Sequence, residues 1–334
     1  MGLKFAAIGF AHGHIHGIVP ALQKIEGVEL AALAEPDEAL RADAVSRYGV
    51  DAYGDHRELL ERDDIDFVAI CPANSEKAQL IAECVQHGKH VMADKPLLTT
   101  QEGLKLVEEA LAGSSAKVSM LLSLRFSATY YTLKQVVARG DVGEVVSIWA
   151  TRPHKLGIRN RSEAMLNPAL NGGVIVDLGI HDMDMVRWVT CDEVDSVTAH
   201  HSNHRFREER PDFYDNGHIL AKMKRGAIAY VNPDWLTPDA SEWHGDCRFF
   251  VVGTQGTVET GSVLGEVKLI TNTEKLRSVE IERPPVSIYQ DFVNQLTDPS
   301  YKAILTNHEV IESMRAVLTA RDAAERGETV VLEN

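Results

Sequence analysis

The sequence predicts an α/β protein: a doubly wound parallel sheet followed by a second domain built on one broad sheet. Three observations carry this. Short apolar runs of strand length alternate with helical periodicity through the first third of the chain. The alternation stops near residue 145, and a series of strand-like runs follows. At 334 residues the chain is long enough for two hydrophobic cores. The expected domains are 1–122 and 123–334, with the C-terminal helix packing back on the N-terminal domain.

Composition narrows the class of partner. Hydrophobic residues make up 44% and charged residues 25%, as in an ordinary globular protein, and the net charge is −15. Such an acidic chain is not expected to bind nucleic acid or an anionic membrane. Cys71, Cys84, Cys191 and Cys247 have no short-spaced pair, which favours a reducing cytoplasm over a disulfide framework or a zinc ribbon. The first apolar run is too short for a signal peptide, and no run approaches the roughly 20 residues that span a bilayer.

In order, Phe5–Ile8 reads as a buried strand, and Gly9–Gly17 as the turn after it, with a helix to about Ile25. Val28–Ala34 reads as a second strand, closed by Glu35. Strand, glycine-containing turn, helix, strand and acidic residue form a dinucleotide-binding unit. The turn brings Gly9, Phe10, Ala11, His12, Gly13 and His14 to a pyrophosphate at the helix N-terminus, and Glu35 accepts from the ribose. Only Gly9 matches the glycine pattern; Ala11 and His14 stand at its second and third positions. A carboxylate at Glu35 repels a 2′-phosphate, so NAD is expected over NADP.

Helical periodicity runs over 38–48 and 57–62, followed by a strand over 66–71 and a helix over 75–87. Another strand covers 90–93, another helix 101–111, and a last strand 117–122. Ligands of such sheets bind at the carboxyl ends of the strands. Cys71, Pro72, Ala73 and Asn74 stand at one such end, and Asp94, Lys95 and Pro96 at another. Lys95, pinned by Pro96, is placed to donate to a substrate oxygen.

Gly172–Asp184 is a largely apolar, helix-forming stretch. Asp177, His181 and Asp184 interrupt it on one face. Asp177, one turn from His181, can orient that ring and stabilise its charged form, as a general base requires. The same pattern also suits a core histidine satisfied by its neighbour. Gly179 inside the helix costs about 1 kcal/mol relative to Ala, which makes sense if something approaches the backbone there.

Several motifs, in this order, resemble the glucose–fructose oxidoreductase and inositol dehydrogenase family (Gfo/Idh/MocA): His87–Pro96, Arg125-Phe126, Leu133–Val136, Gly140–Glu144 and Gly172–Asp184. The resemblance runs from about Lys4 to Gly261 and weakly beyond. It implies a Rossmann domain followed by an α/β domain with an open, mostly antiparallel sheet. The family's catalytic Lys, Asp and His fall on Lys95, Asp177 and His181, which must flank one nicotinamide, and its Lys-Pro peptide is commonly cis. Asp94 replaces the family's usual Glu, and Lys77 its usual His. The implied activity is NAD-dependent hydride transfer from a sugar, polyol or inositol-like hydroxyl. Family lyases and hydrolases that use a transient oxidation, or a non-catalytic NAD-binding sensor, are the alternatives.

In the remainder, Val145–Thr151 begins the second domain as a strand. Residues 152–171 read as a polar loop carrying Arg152, His154, Lys155, Arg159 and Arg161. Arg125, His154, Lys155, Asp234 and Trp235 are candidate substrate contacts; aromatic faces beside carboxylates suit sugar-like ligands. Strand-like runs from Val194 to Ile281 form a meander, one face of which must be solvated or covered by a second subunit. A homo-oligomer, dimer or tetramer, is expected through that sheet. No resident metal is expected: His12-x-His14-x-His16 resembles the paired-histidine site of barrel hydrolases, but a barrel needs eight strand–helix units.

Overall fold

The computed structural model describes residues 2–332 and divides them into two compact units. Of these, residues 2–121 with 286–311 form one unit, and 122–285 with 312–332 the other.

The first unit alternates strand and helix: β1 (Leu3–Ile8), α1 (Ile15–Gln23), β2 (Val28–Ala34), α2 (Glu38–Tyr48), β3 (Asp51–Tyr53), α3 (His56–Leu60), β4 (Phe67–Ile70), α4 (Lys77–Gln86), β5 (His90–Ala93), α5 (Gln101–Leu111) and β6 (Val118–Met120). The six strands pair in parallel in the order β3-β2-β1-β4-β5-β6. This is the doubly wound sheet expected. Helix boundaries follow local chemistry. Asp37 accepts from the Ala39 and Leu40 N–H groups at the start of α2, Gly49 ends it at φ +65°, and Thr100 caps α5. The helix after β1 starts at Ile15, so His16 and Gly17 belong to it and not to the turn. β3, too short to carry a period, was not expected from the sequence. Central strands β1 and β4 are buried on both faces, and Phe5 stacks on Phe67.

The second unit holds α6 (Ala128–Ala138), β7 (Val145–Pro153), α7 (Glu163–Leu166), α8 (Pro168–Asn171), α9 (Gly173–Thr190) and strands β8 (Val194–Ser202), β9 (Asn216–Met223), β10 (Ile228–Asp234), β11 (Arg248–Gly253), β12 (Gly256–Gly261), β13 (Val267–Thr271) and β14 (Arg277–Val279). Helix α10 (Ile288–Thr297) lies in the first unit. Helix α11 (Asn307–Arg326) begins there and ends in the second, and β15 (Val330–Val331) closes the described chain. Nine strands form one open sheet, β14-β13-β12-β11-β7-β10-β9-β8-β15. All its pairings are antiparallel except β7 with β10. Parallel and mixed sheets of this kind leave no closed barrel, which removes the barrel-hydrolase alternative. The stretch read as a loop after residue 151 is more ordered than expected: Arg152 is still on β7, and two short helices follow.

Gly179 now has its reason. A Cβ there would stand 3.3 Å from Ile219 Cδ1, 3.6 Å from Pro233 and 3.7 Å from Val317, so the glycine lets α9 settle closely against β9, β10 and α11.

Candidate active site

Register assembles the first-unit site. In the parallel sheet Ile8 pairs with Ala34 and with Ile70, and Ile70 pairs with Ala93. The next residue of each strand is therefore level with the others at the carboxyl edge: Gly9, Glu35, Cys71 and Asp94.

Gly9 has φ +80°, and a Cβ there would lie 2.6 Å from the Pro72 nitrogen, so no other residue fits. Glu35 is buried. One carboxylate oxygen accepts the Phe10 N–H at 2.6 Å and the other the Asp37 N–H at 2.9 Å. The expected ribose acceptor thus also fastens the loop after β1 to the end of β2. Arg41 donates to the Glu35 and Pro36 carbonyls. An open cavity of about 510 Å³ borders this edge, lined by Gly9, Pro36, Gly54, His56, Arg57 and Pro72 among others. Its size suits a nucleoside. A glycine cradle that a Cβ would fill, an acidic residue at the second strand end and a helix N-terminus beyond the loop fit a dinucleotide. Residues 54–57 were not expected at this cavity, because β3, which delivers them, was not expected; Arg57 was read only as the start of a helix.

Asp94 is the hub of the edge. It is 1% exposed. One of its oxygens accepts from His14 Nδ1 at 2.6 Å and from the Lys95 N–H at 2.7 Å. The other lies 3.5 Å from Cys71 Sγ, 3.6 Å from His12 Nδ1 and 3.6 Å from Lys77 Nζ. Lys77 is fully buried and donates to the Asp94 and Pro96 carbonyls at 3.1 and 3.0 Å. Burial alone would raise the Asp94 carboxyl. The Lys77 ammonium, the His14 hydrogen bond and charge, and the charge of Lys95 outweigh it and hold the group well below the usual carboxylate range. Burial lowers His12 to about 4 despite the attraction of Asp94, and burial with the Asp94 charge pushes the Cys71 thiol up. The Lys95-Pro96 peptide is cis, as expected. Ala73 precedes a single 3-10 turn, Asn74–Glu76, which leads into α4.

In the second unit α9 carries Asp177, buried, and His181, half-buried, one turn apart. The Asn171 side chain accepts the Gly173 N–H at the start of this helix. Arg161 lies over the Trp235 ring at 4.3 Å. Burial lowers its pKa, and the Asp177 charge opposes that shift. His154 packs edge-on against Trp235 and His244. Its Nδ1 is 2.8 Å from the Pro153 carbonyl. Lys155 Nζ donates to the Ser241 carbonyl. Asp234 accepts the Leu236 N–H, and burial raises its pKa. Asp177, Arg161, Trp235 and His154 therefore form one chain of neighbours; Arg161 had not been singled out, because a loop arginine has no periodicity to mark it.

Arg125 is a correction. It is fully buried, its guanidinium bidentate on Asp184 at 2.9 and 2.7 Å, with Ser313 donating to the same carboxylate. A group so enclosed braces helix α9 and does not meet a substrate. Asp184 is its structural partner. A second buried pair, Arg152 with Asp182 at 2.6 and 2.7 Å, ties β7 to α9.

The profile of the oxidoreductase family with an NAD-binding Rossmann fold, GFO/IDH/MocA, matches residues 3–121, and that of the GFO/IDH/MocA C-terminal domain matches 130–259. Inositol 2-dehydrogenase 2 of Saccharopolyspora erythraea is 29% identical over 281 residues, covering 83% of this chain and 77% of that protein. Myo-inositol 2-dehydrogenase of Thermotoga maritima is 26% identical over 285 residues, 81% and 79% of the two chains. The fold is shared with levoglucosan dehydrogenase, solved with NADH, at a TM-score of 0.84 and 18% identity over all of both chains. No helix among the described residues is long and apolar enough to cross a membrane.

Proposed function

Because the chain belongs to the GFO/IDH/MocA oxidoreductase family, we propose that it is an NAD-dependent dehydrogenase acting on a secondary hydroxyl of a sugar, polyol or inositol. What supports this reading is that the chain carries both a dinucleotide-type strand edge and a helix with Asp177 and His181 one turn apart. Bound NAD supplies the hydride acceptor. His181 takes the hydroxyl proton, Asp177 orients the imidazole and stabilises its charged form, and Lys95 donates to the reacting oxygen. Gly9, Phe10, Ala11, His12, Gly13 and His14 line the pyrophosphate. Glu35 faces the adenosine ribose; its carboxylate supports NAD over NADP. Cys71, Pro72, Ala73, Asn74 and Asp94 border the nicotinamide side. His154, Lys155, Asp234, Trp235 and Arg161 are the substrate side, an aromatic face edged by charges that suits a polyhydroxylated ring.

The protein also assembles as a homo-oligomer through the nine-stranded sheet. Trp149, 56% exposed, pairs across β7 and β10 with Tyr230, which pairs with Leu220, 50% exposed, on β9. An apolar stripe over three adjacent strands is more than isolated surface residues present.

The test is NADH formation on a panel of inositols, sugars and polyols, with His181→Asn and Lys95→Met alongside. The expected result is turnover of at least one compound, with kcat lowered about 10²–10⁴-fold in His181→Asn and NAD affinity retained. Wild-type protein that binds NAD and reduces none of it with any compound would overturn the proposal.

A further inference from the structure

The histidines of the first loop, placed above beside the pyrophosphate, also have a chemistry that a dinucleotide does not use. His12 Nδ1, Cys71 Sγ and an Asp94 carboxylate oxygen all lie within 4.8 Å of one another. Two edges of that triangle are 3.5 Å, Cys71 to Asp94, and 3.6 Å, His12 to Asp94. Four ligands at about 2.0–2.3 Å from a tetrahedral ion stand about 3.3–3.8 Å apart. Both measured edges already have that length. We propose that His12, Cys71 and Asp94 form a binding site for a divalent cation of the zinc class, with the fourth position open to water.

The donor set fits this ion. One imidazole, one thiolate and one carboxylate form a borderline-soft N/S/O set, which suits zinc or cobalt and not magnesium or calcium. The surroundings are built as supports for ligands. The second Asp94 oxygen is held by His14 Nδ1 and the Lys95 N–H, which fixes the carboxylate and leaves the first oxygen aimed at Cys71 and His12. The His12 and His14 rings meet edge to face at 4.0 Å; the His14 N–H donates to His12 Nδ1 at 3.3 Å, a long hydrogen bond that the metal displaces when it takes that lone pair. Cys71 must give up its proton: one H⁺ leaves for solvent as the S–metal bond forms, and the thiol's contacts to the His12 carbonyl and Asp94 are released. Lys77 opposes the ion, since its ammonium is 3.6 Å from the liganding oxygen. Its charge keeps the site weaker than an unopposed one, so Lys77→Met binds the metal more tightly. The site shares His12, Cys71 and Asp94 with the proposed cofactor edge, but metal titration of the NAD-free protein reads it separately from turnover.

The experiment uses the full chain made without a histidine tag, stripped with a chelator and titrated with Co²⁺ and then Zn²⁺. The expected result is one Co²⁺ per chain with a thiolate-to-cobalt charge-transfer band and intense tetrahedral d–d bands, lost on adding Zn²⁺. Cys71→Ser abolishes the charge-transfer band, and His14→Asn weakens binding about 10–100-fold. Cys84→Ser, Cys191→Ser and Cys247→Ser retain the band. Should Cys71→Ser fail to fold by circular dichroism, His12→Ala, at a partly exposed ring, takes its place and weakens binding by at least the same factor. Wild-type protein without the band, a band that survives in folded Cys71→Ser, unaltered Co²⁺ affinity in His12→Ala, or a band lost in another cysteine variant overturns the proposal.

Discussion

Lys77→Met tests the hub at Asp94 most directly. The Lys77 side chain is fully buried, and its ammonium donates to the Asp94 and Pro96 carbonyls while lying 3.6 Å from the Asp94 carboxylate, itself 1% exposed. Methionine keeps the length and removes the charge. The carboxylate then remains buried with His14, the Lys95 N–H and the weak Cys71 thiol as its donors. Breaking a buried pair by removing one partner costs about 3–5 kcal/mol, or about two to three and a half powers of ten in an opening equilibrium. The four tryptophans, Trp149, Trp188, Trp235 and Trp243, all lie in the second unit, so their fluorescence does not report the first. Hydrogen exchange of peptides covering residues 67–93, with a chelator present, reads the right region. Faster exchange by two or more powers of ten is expected at neutral pH. The deficit shrinks as pH falls, for a simple reason. The depressed Asp94 pKa of the wild type stabilises it above the unfolded value, and that advantage is lost as pH falls through the folded one. Without Lys77 the folded pKa is higher, so the variant is relieved by protonation first. Lys77→Met/Asp94→Asn should recover much of the loss. Exchange within threefold of wild type, or a double variant no better than the single, would refute the reasoning.

Other expectations follow from the same geometry. Gly9→Ala forces a left-handed residue worth about 1–2 kcal/mol of strain and drives its methyl into the Pro72 backbone at 2.6 Å; calorimetry should show NAD affinity reduced about tenfold or more, and unchanged affinity would contradict the cradle. His12, lowered by burial to about 4, is neutral when folded and charged when unfolded between that value and 6.5, so the unfolded state holds the extra proton. Stability should therefore fall as pH drops from 6.5 toward 4, and urea midpoints of His12→Asn should be flatter across that window; parallel curves would remove His12 as the cause. Trp149→Glu places a charge on the exposed sheet stripe, and light scattering should show a shift toward monomer; an unaltered assembly, or a wild type that is already monomeric, would dismiss that face as the interface.

Local pattern alone determined a good deal. Val28–Ala34, Glu38–Tyr48, His90–Ala93 and Gln101–Leu111 form over the same residues that their periodicity marks, because apolar spacing and caps act within a few residues of themselves. The Asp177–His181 spacing is legible for the same reason: a helix turns four residues back onto one face. What the chain brings together across strands was not legible. Cys71 and Asp94, 23 residues apart, meet because β1, β4 and β5 are neighbours in matching register, and His12 and Lys77 reach the same carboxylate from a loop and a helix. Arg125 and Asp184 seal one another inside the second unit, 59 residues apart, so a charge that reads as a ligand contact is a brace. Sequence sets which elements form, through interactions a turn or a strand long. Sheet order and burial decide which of their charges face one another, and those are properties of the whole packed unit.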